Sequence, residues 1–209
     1  MLTALLNWFV KGTGWPFERI LFRTKRRYED KAAQGRGIKG PAVVIANHTS
    51  VWDYATLIFT FPGRTLRVQM ADILFRKPGL GLFLRMMGGI EVHREAHEVN
   101  SLNRAAAVLR KGGVVGIFPE GRLPRKGETP PLPFQEGAAA LALAETVPGI
   151  PVHIRGKYFH GRMSVVIGKK MDLRALCAGE DDERKARKKA VDAMRQKIIE
   201  LGGMQDGEA

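Results

Sequence analysis

The sequence predicts an α/β fold, a mostly parallel central sheet flanked by helices, entered through an N-terminal amphipathic helical segment. Three observations carry this. Ala42-Val43-Val44-Ile45-Ala46 is apolar without a break, as a strand buried on both faces must be. Beyond it, strand-like runs alternate with helix-like runs, the order that gives parallel strands joined by crossover helices. The first strand also empties into a polar turn, Asn47-His48-Thr49-Ser50-Val51-Trp52-Asp53, and open α/β sheets hold their ligands at such strand ends.

The elements follow in order. Residues 1–30 read as one or two short amphipathic helices, with Trp8 and Trp15 among apolar neighbours and the cations Arg23, Lys25, Arg26 and Arg27 behind them. Apolar and aromatic patches followed by clustered cations suit an interfacial membrane anchor, and equally a helix packed on the domain's own core. Residues 31–41 form a polar, Gly-rich connector. Strands are expected at 42–46, 66–70, 89–93, 114–118, 150–154 and 163–167. Helices are expected at 53–60, 79–87, 97–111 and 137–146. Pro124, Pro130, Pro131 and Pro133 require a loop over 123–135. From Glu180 to Leu201 the chain reads as a charged helix, acidic at its start as the helix dipole prefers. Two units result: a membrane-associating segment, 1–30, and an α/β domain with its charged C-terminal helix, 31–209.

Composition narrows the function. A chain of 209 residues, 44% of them hydrophobic, can bury one substantial core. The single cysteine, Cys177, excludes an internal disulfide and suits a reducing compartment. A net charge of +13 calls for an anionic partner: nucleic acid, an anionic membrane or phosphorylated substrates. Zinc-finger spacing and aromatic-bearing basic RNA motifs are both missing, which disfavours nucleic acid. The N-terminal apolar run is too short to span a bilayer and lacks the flanks of a signal peptide.

The chemistry concentrates at strand ends. His48 and Asp53, with four residues between them, have the form of a general base and the carboxylate that orients it. Thr49, Ser50 and Asp53 also suit a helix N-terminus with no chemical task. Gly88-Gly89-Ile90-Glu91-Val92-His93-Arg94 is an apolar strand ending in a cation. Val114-Val115-Gly116-Ile117-Phe118-Pro119-Glu120-Gly121-Arg122 is a buried strand ending in Pro-Glu-Gly. Val147-Pro148-Gly149-Ile150-Pro151-Val152 is a Pro-flanked entry into another. Singly, each has an ordinary structural reading. In this order, over about residues 41–155, they resemble the glycerolipid acyltransferase superfamily, and within it the bacterial 1-acyl-glycerol-3-phosphate acyltransferases.

The resemblance implies roles. His48 would be the general base and Asp53 its orienting carboxylate. Arg94 would bind the acceptor's phosphate, and Glu120 and Gly121 would shape that site. Pro151 would serve packing or acyl-donor binding. The family most often has Thr-Arg after Phe-Pro-Glu-Gly, whereas here Arg122-Leu123-Pro124-Arg125 follows, leaving Arg122 or Arg125 as the phosphate-binding cation. The implied reaction moves a fatty acyl group from acyl-CoA or acyl-carrier protein to the free hydroxyl of 1-acyl-glycerol-3-phosphate. It gives phosphatidic acid without a covalent acyl-enzyme, because no nucleophile accompanies His48. The implied setting is peripheral, on the cytoplasmic face of the cell membrane, held by residues 1–30. No cofactor, metal or nucleic acid is required. A metal held by His48, His93 and His97 is disfavoured because His93 and His97 do not share a helix face. Two other readings stand beside this one: the same chemistry on a different lysolipid, and a non-catalytic anionic-membrane-binding protein of the same fold.

Overall fold

Strand β2 (Ala42–Ala46), buried at every residue, is the centre of the architecture. A computed structural model describes residues 2–93 and 99–204 of the chain. Among them β2 is joined by β1 (Lys25–Tyr28), β3 (Leu66–Ala71), β4 (Ile90–Val92), β5 (Val114–Ile117), β6 (Gly149–Gly156) and β7 (Met163–Ile167) in one sheet of order β1-β7-β6-β2-β5-β3-β4. From β6 to β4 every neighbouring pair is parallel; β7 runs antiparallel to β6, and β1 parallel to β7. The carboxyl ends of β2, β3, β4, β5 and β6 therefore share one edge of the sheet.

Helices cover both faces, as a buried parallel sheet requires. Val44 and its same-face neighbours pack with Leu57, Phe59 and Phe61 from α2 (Asp53–Thr60) and the residue that follows it, and with Met87 of α4 (Leu80–Met87). Val43 and Ile45 point the other way, into Ala105 and Leu109 of α5 (Val99–Arg110), Ala139 of α6 (Gly137–Ala144) and Met194 of α8 (Glu183–Gly203). Two short helices, α3 (Asp72–Phe75) and α7 (Leu173–Leu176), complete the described elements. Helix α8 is charged along its length, yet it seats Ala190, Met194, Ile198 and Leu201 on the sheet. It opens at Asp182, whose carboxylate accepts from the Arg184 and Lys185 amides.

The strands and the longer helices fall where the sequence reading puts them. The N-terminal region does not. A single helix, α1 (Leu2–Leu21), runs through Pro16, and the cationic run after it enters the sheet as β1, paired with β7 from Lys25↔Ser164 to Tyr28↔Ile167. Four consecutive polar or aromatic residues with two arginines at their centre carry no apolar alternation, so pattern alone missed an edge strand.

Helix α1 packs Leu6 and Val10 on the core, buries several polar residues beside them, and turns its larger apolar residues outward. Asn7, Lys11 and Glu18 are buried, while Trp8 (74% exposed), Phe9 (66%), Phe17 (66%) and Ile20 (69%) face outward. Asn7 donates to the Met87 carbonyl at the end of α4 (3.1 Å), and Glu18 accepts from Arg26 at 2.6 Å. Lys11 reaches the carboxyl end of α2 and donates to the carbonyls of Phe61, Pro62 and Arg64 at 3.3, 3.3 and 2.6 Å. Arg36 meets the same helix end at the carbonyls of Phe59 and Thr60. Two cations at the carboxyl end of α2 answer the negative pole of its dipole. Among the described residues no helix is long and apolar enough to cross a membrane.

Lys11 is the pin between α1 and the sheet domain. Lys11→Met leaves three carbonyls without their donor and should cost about 1–3 kcal/mol in chemical denaturation. Burial holds the Lys11 ammonium down to about 8, against 10.5 for a free lysine. Between those values the unfolded chain keeps a proton that the folded chain has lost, so this residue makes stability rise with pH across that window. Denaturation curves at stepped pH should show that rise in the native protein and a flatter profile in Lys11→Met.

Candidate active site

The site begins with an amide standing in for a strand residue. Strand β2 ends at Ala46, and the next side chain continues its ladder. Asn47 Nδ2 donates to the Ile154 carbonyl (2.8 Å), and Asn47 Oδ1 accepts from the Ile154 amide (2.7 Å). The backbone is free to leave the sheet one residue later, at His48. Two residues just beyond strand β5 support His48: Phe118, whose ring lies nearly parallel to the imidazole with centroids 4.3 Å apart, and Glu120, which accepts from the His48 backbone amide at 2.8 Å.

His48 Nδ1 lies 2.9 Å from Asp53 Oδ2. Asp53 is fully buried at the start of α2, where the positive pole of the helix favours its charge. Its Oδ2 also accepts the amides of Thr49 (2.6 Å) and Ser50 (2.8 Å). Its Oδ1 accepts the Thr49 hydroxyl (3.1 Å) and the Tyr158 hydroxyl (2.6 Å). An ionised carboxylate can only accept, so in the neutral imidazole Nδ1 carries the proton and Nε2 is left as the acceptor. The His48 side chain is 19% exposed, enough to be reached.

His48 opens onto a cleft of about 760 Å³ at the carboxyl edge of the sheet. Its walls divide by chemistry. Val51, Ile73, Leu74 and Leu102 supply apolar surface, while Glu120, Gly121, Arg122, Arg125 and Gln135 supply polar surface. Glu120 is buried and accepts from the amides of His48 and Leu132, so it ties the turn after β2 to the loop after β5. Burial raises its carboxyl above the usual range, against those two hydrogen bonds that lower it. Gly121 takes a left-handed φ of 68°, which favours glycine, and a Cβ there would push on the end of the Gln135 side chain at 2.7 Å. Arg122 forks around Glu128, with its two terminal nitrogens at 2.6 and 2.7 Å from the two carboxylate oxygens, and the Arg125 amide donates to the same carboxylate at 2.7 Å. These contacts pull the Glu128 carboxyl down to about 2, the Arg122 fork contributing most.

The structure thus brings together His48, Asp53, Glu120, Gly121, Arg122 and Arg125 around one cleft. Arg94 and His97 lie outside the described residues; their neighbour His93 lines the cleft beside Asp72 and Glu91. Pro151 sits within β6, paired with Ile45 and away from the cleft, with its carbonyl accepting the Gly168 amide. Cys177 is buried on the far face of the sheet, its thiol donating to the Ala186 carbonyl. Among the described residues no group of three or more His, Cys, Asp or Glu side chains could hold a metal ion.

Four residues of the site have no role in the sequence reading. Asn47 and Phe118 stand within the motif runs, which are their only signal. Glu128 lies in a Pro- and Gly-rich loop with none. Tyr158 stands 105 residues from the carboxylate it touches and gives none.

The family model for acyltransferases matches residues 19–155, which run from the end of α1 to the end of β6. The human 1-acyl-sn-glycerol-3-phosphate acyltransferase beta is 28% identical over 153 residues, 71% of this chain and 51% of that protein. The 1-acyl-sn-glycerol-3-phosphate acyltransferase of Bacillus subtilis is 26% identical over 165 residues, 76% of this chain and 80% of that one. The chain thus spans about half the length of the human relative and most of the bacterial one. The crystal structure of the 1-acyl-sn-glycerophosphate acyltransferase of Thermotoga maritima superimposes with a TM-score of 0.69 over 96% of this chain and 81% of that one, at 22% identity, which establishes a common fold. With two-thirds of its length inside the family model and that model ending where the strand beside the dyad ends, the chain belongs to the acyltransferase family.

Proposed function

We propose that this acyltransferase transfers a fatty acyl group from an acyl thioester to the free hydroxyl of 1-acyl-glycerol-3-phosphate, giving phosphatidic acid. The observation that carries the reading is the His48–Asp53 pair, its imidazole held by a buried carboxylate and lining a cleft with an apolar wall and a cationic rim. The relatives named for this reaction support the choice of acceptor.

His48 Nε2 takes the proton of the acceptor hydroxyl as that oxygen attacks the thioester carbonyl carbon. The imidazolium that forms is stabilised by Asp53, whose charge is already paid out in hydrogen bonds before substrate arrives. The tetrahedral intermediate collapses by breaking the carbon–sulfur bond, and the thiolate recovers the proton from His48. Transfer is direct: Ser50 Oγ is engaged by the Trp52 amide, and Cys177 is remote from the cleft. Arg122, with Arg125 beside it, receives the acceptor's phosphate, because a planar guanidinium matches that group with two parallel hydrogen bonds. Arg122 is held by Glu128, so the phosphate has to displace a carboxylate of similar shape. The donor is acyl-CoA or acyl-carrier protein, drawn by a chain of net charge +13.

The acceptor is a membrane lipid, and α1 supplies the contact. Its outward residues Trp8, Phe9, Phe17 and Ile20 form an apolar face, extended on the neighbouring α4 by Leu82 and Phe83. Leu6, Val10 and the buried polar residues hold α1 to the domain, which leaves these outward residues free for the lipid surface.

Thiol release from acyl-CoA should depend on 1-acyl-glycerol-3-phosphate in the native protein and fall by about 10²- to 10⁴-fold in His48→Ala, with the circular dichroism unchanged; turnover preserved in that variant would overturn the mechanism. Glu128→Gln should lower the acceptor KM by about two- to fivefold, the worth of an exposed ion pair, by releasing Arg122; a raised KM would mean that Glu128 builds the phosphate site instead. Replacing Trp8 and Phe9 by glutamate should abolish flotation with vesicles rich in anionic phospholipid, and retained flotation would remove α1 from the membrane contact.

A further inference from the structure

Asp53 is held by five groups among the described residues, and four belong to its own turn: the His48 imidazole, the Thr49 amide and hydroxyl, and the Ser50 amide. The fifth is Tyr158, from the loop that joins β6 to β7. We propose that Tyr158 is a positioning residue for the His48–Asp53 pair: its hydroxyl fixes the carboxylate by Oδ1 so that Oδ2 stays aimed at the imidazole. The proposal rests on the reading of His48 as general base.

The two oxygens of Asp53 do different work. Oδ2 collects His48 and two backbone amides, whereas Oδ1 has two hydroxyls, from Thr49 and Tyr158. The terminal torsion of an aspartate is broad, so amides on one oxygen alone leave the carboxylate plane free to swing. A donor on Oδ1 from a distant element stops that swing. The direction of the bond is fixed. The carboxylate accepts only, so the Tyr158 hydroxyl donates to it at 2.6 Å, and the Thr56 hydroxyl, at 2.9 Å, donates to Tyr158 in turn. Burial and the neighbouring carboxylate both raise the Tyr158 hydroxyl above its ordinary range, so it keeps its proton wherever the pair is active.

The ring is as fixed as the hydroxyl. Phe22 meets it edge-on at 4.9 Å, and Phe22, Trp52 and Phe159 pack edge-to-face around one another. Gly156 starts the loop at φ 134°, where a Cβ would lie 2.2 Å from the Arg162 carbonyl, so the loop turns tightly and carries Tyr158 over the first turn of α2. The ionisable groups facing this assembly are Glu120, beyond β5, beside His48 and Asp53, and Glu18, of α1, beside Tyr158.

Hydrogen bonding by Tyr158 also draws charge away from the carboxylate. Without it, more of that charge falls on the His48 Nδ1–H, and Nε2 becomes more basic. The test is Tyr158→Phe, which keeps the ring and its packing, assayed against acyl-CoA and 1-acyl-glycerol-3-phosphate from pH 5 to 9. The expected result is a fall in kcat of roughly 10- to 100-fold with both KM values near native, since the loss is of alignment, not of binding. With it, the acidic limb of the kcat/KM profile should move to higher pH. A residue that merely packs would leave that limb in place. Thr56→Val removes the hydroxyl behind Tyr158 and should move the limb the same way by less; it carries the test should Tyr158→Phe fail to fold. A native kcat and an unmoved limb in the folded variants overturn the proposal. His48→Ala run alongside separates the two levels: an active His48→Ala overturns the general-base reading, whereas an inactive one beside an unaffected Tyr158→Phe overturns the positioning role alone.

Discussion

Everything at the site depends on compensating one carboxylate that is fully buried. Asp53 has no exposed surface, and an isolated charge in such a place would protonate or unfold its surroundings. The chain prevents this by stacking compensations: the first turn of a helix beneath the carboxylate, two amides, two hydroxyls and an imidazole around it. The same helix has Lys11 and Arg36 on its far end, so an eight-residue element has cations at one pole and an anion at the other. A short helix of weak intrinsic stability is thereby fixed at both ends, and the turn that precedes it has one geometry.

The polarity of α1 follows a different logic from that of an ordinary surface helix. Most such helices bury an apolar stripe and show charge to solvent. Here Asn7, Lys11 and Glu18 reach inward to backbone carbonyls and a cation, and the aromatic residues look out. Those hydrogen bonds, with Leu6 and Val10 packed on the core, hold the helix to the domain and leave its outward apolar residues uncommitted. For an acyltransferase whose acceptor is proposed to reside in a bilayer, attachment to the protein and contact with lipid are assigned to opposite sides of one helix.

What could be read from the sequence was whatever follows from local periodicity. β2, β5 and β7 are apolar runs, and α5 and α6 have clear boundaries, so the sheet was legible before any coordinates. The pairing of His48 with Asp53 was legible too, because the turn between them is local. Strand β1 was not: Lys25, Arg26, Arg27 and Tyr28 join the sheet through backbone hydrogen bonds to β7, to which side-chain polarity is no guide. Tyr158 was not legible because nothing local distinguishes it from any other tyrosine after a strand. The capture of Arg122 by Glu128 was hidden for a related reason, since the loop that brings them together is shaped by prolines and glycines that do not announce a partner.

The reversal of β7 has a consequence for how the site can vary. In a wholly parallel sheet the chain leaving β6 would cross over through a helix and return from the opposite edge, far from the dyad. Because β7 is antiparallel to β6, the chain turns back at once, and residues 157–162 are confined to the edge where His48 and Asp53 lie. This short connection brings the Tyr158 hydroxyl to Asp53, and the strands on either side of it are locked in register. Lengthening it by a residue would not disturb the sheet, but it would lift the tyrosine from the carboxylate. The hairpin is a ruler whose last mark is the dyad, and insertions that would be harmless in most surface loops are measured there against a hydrogen bond.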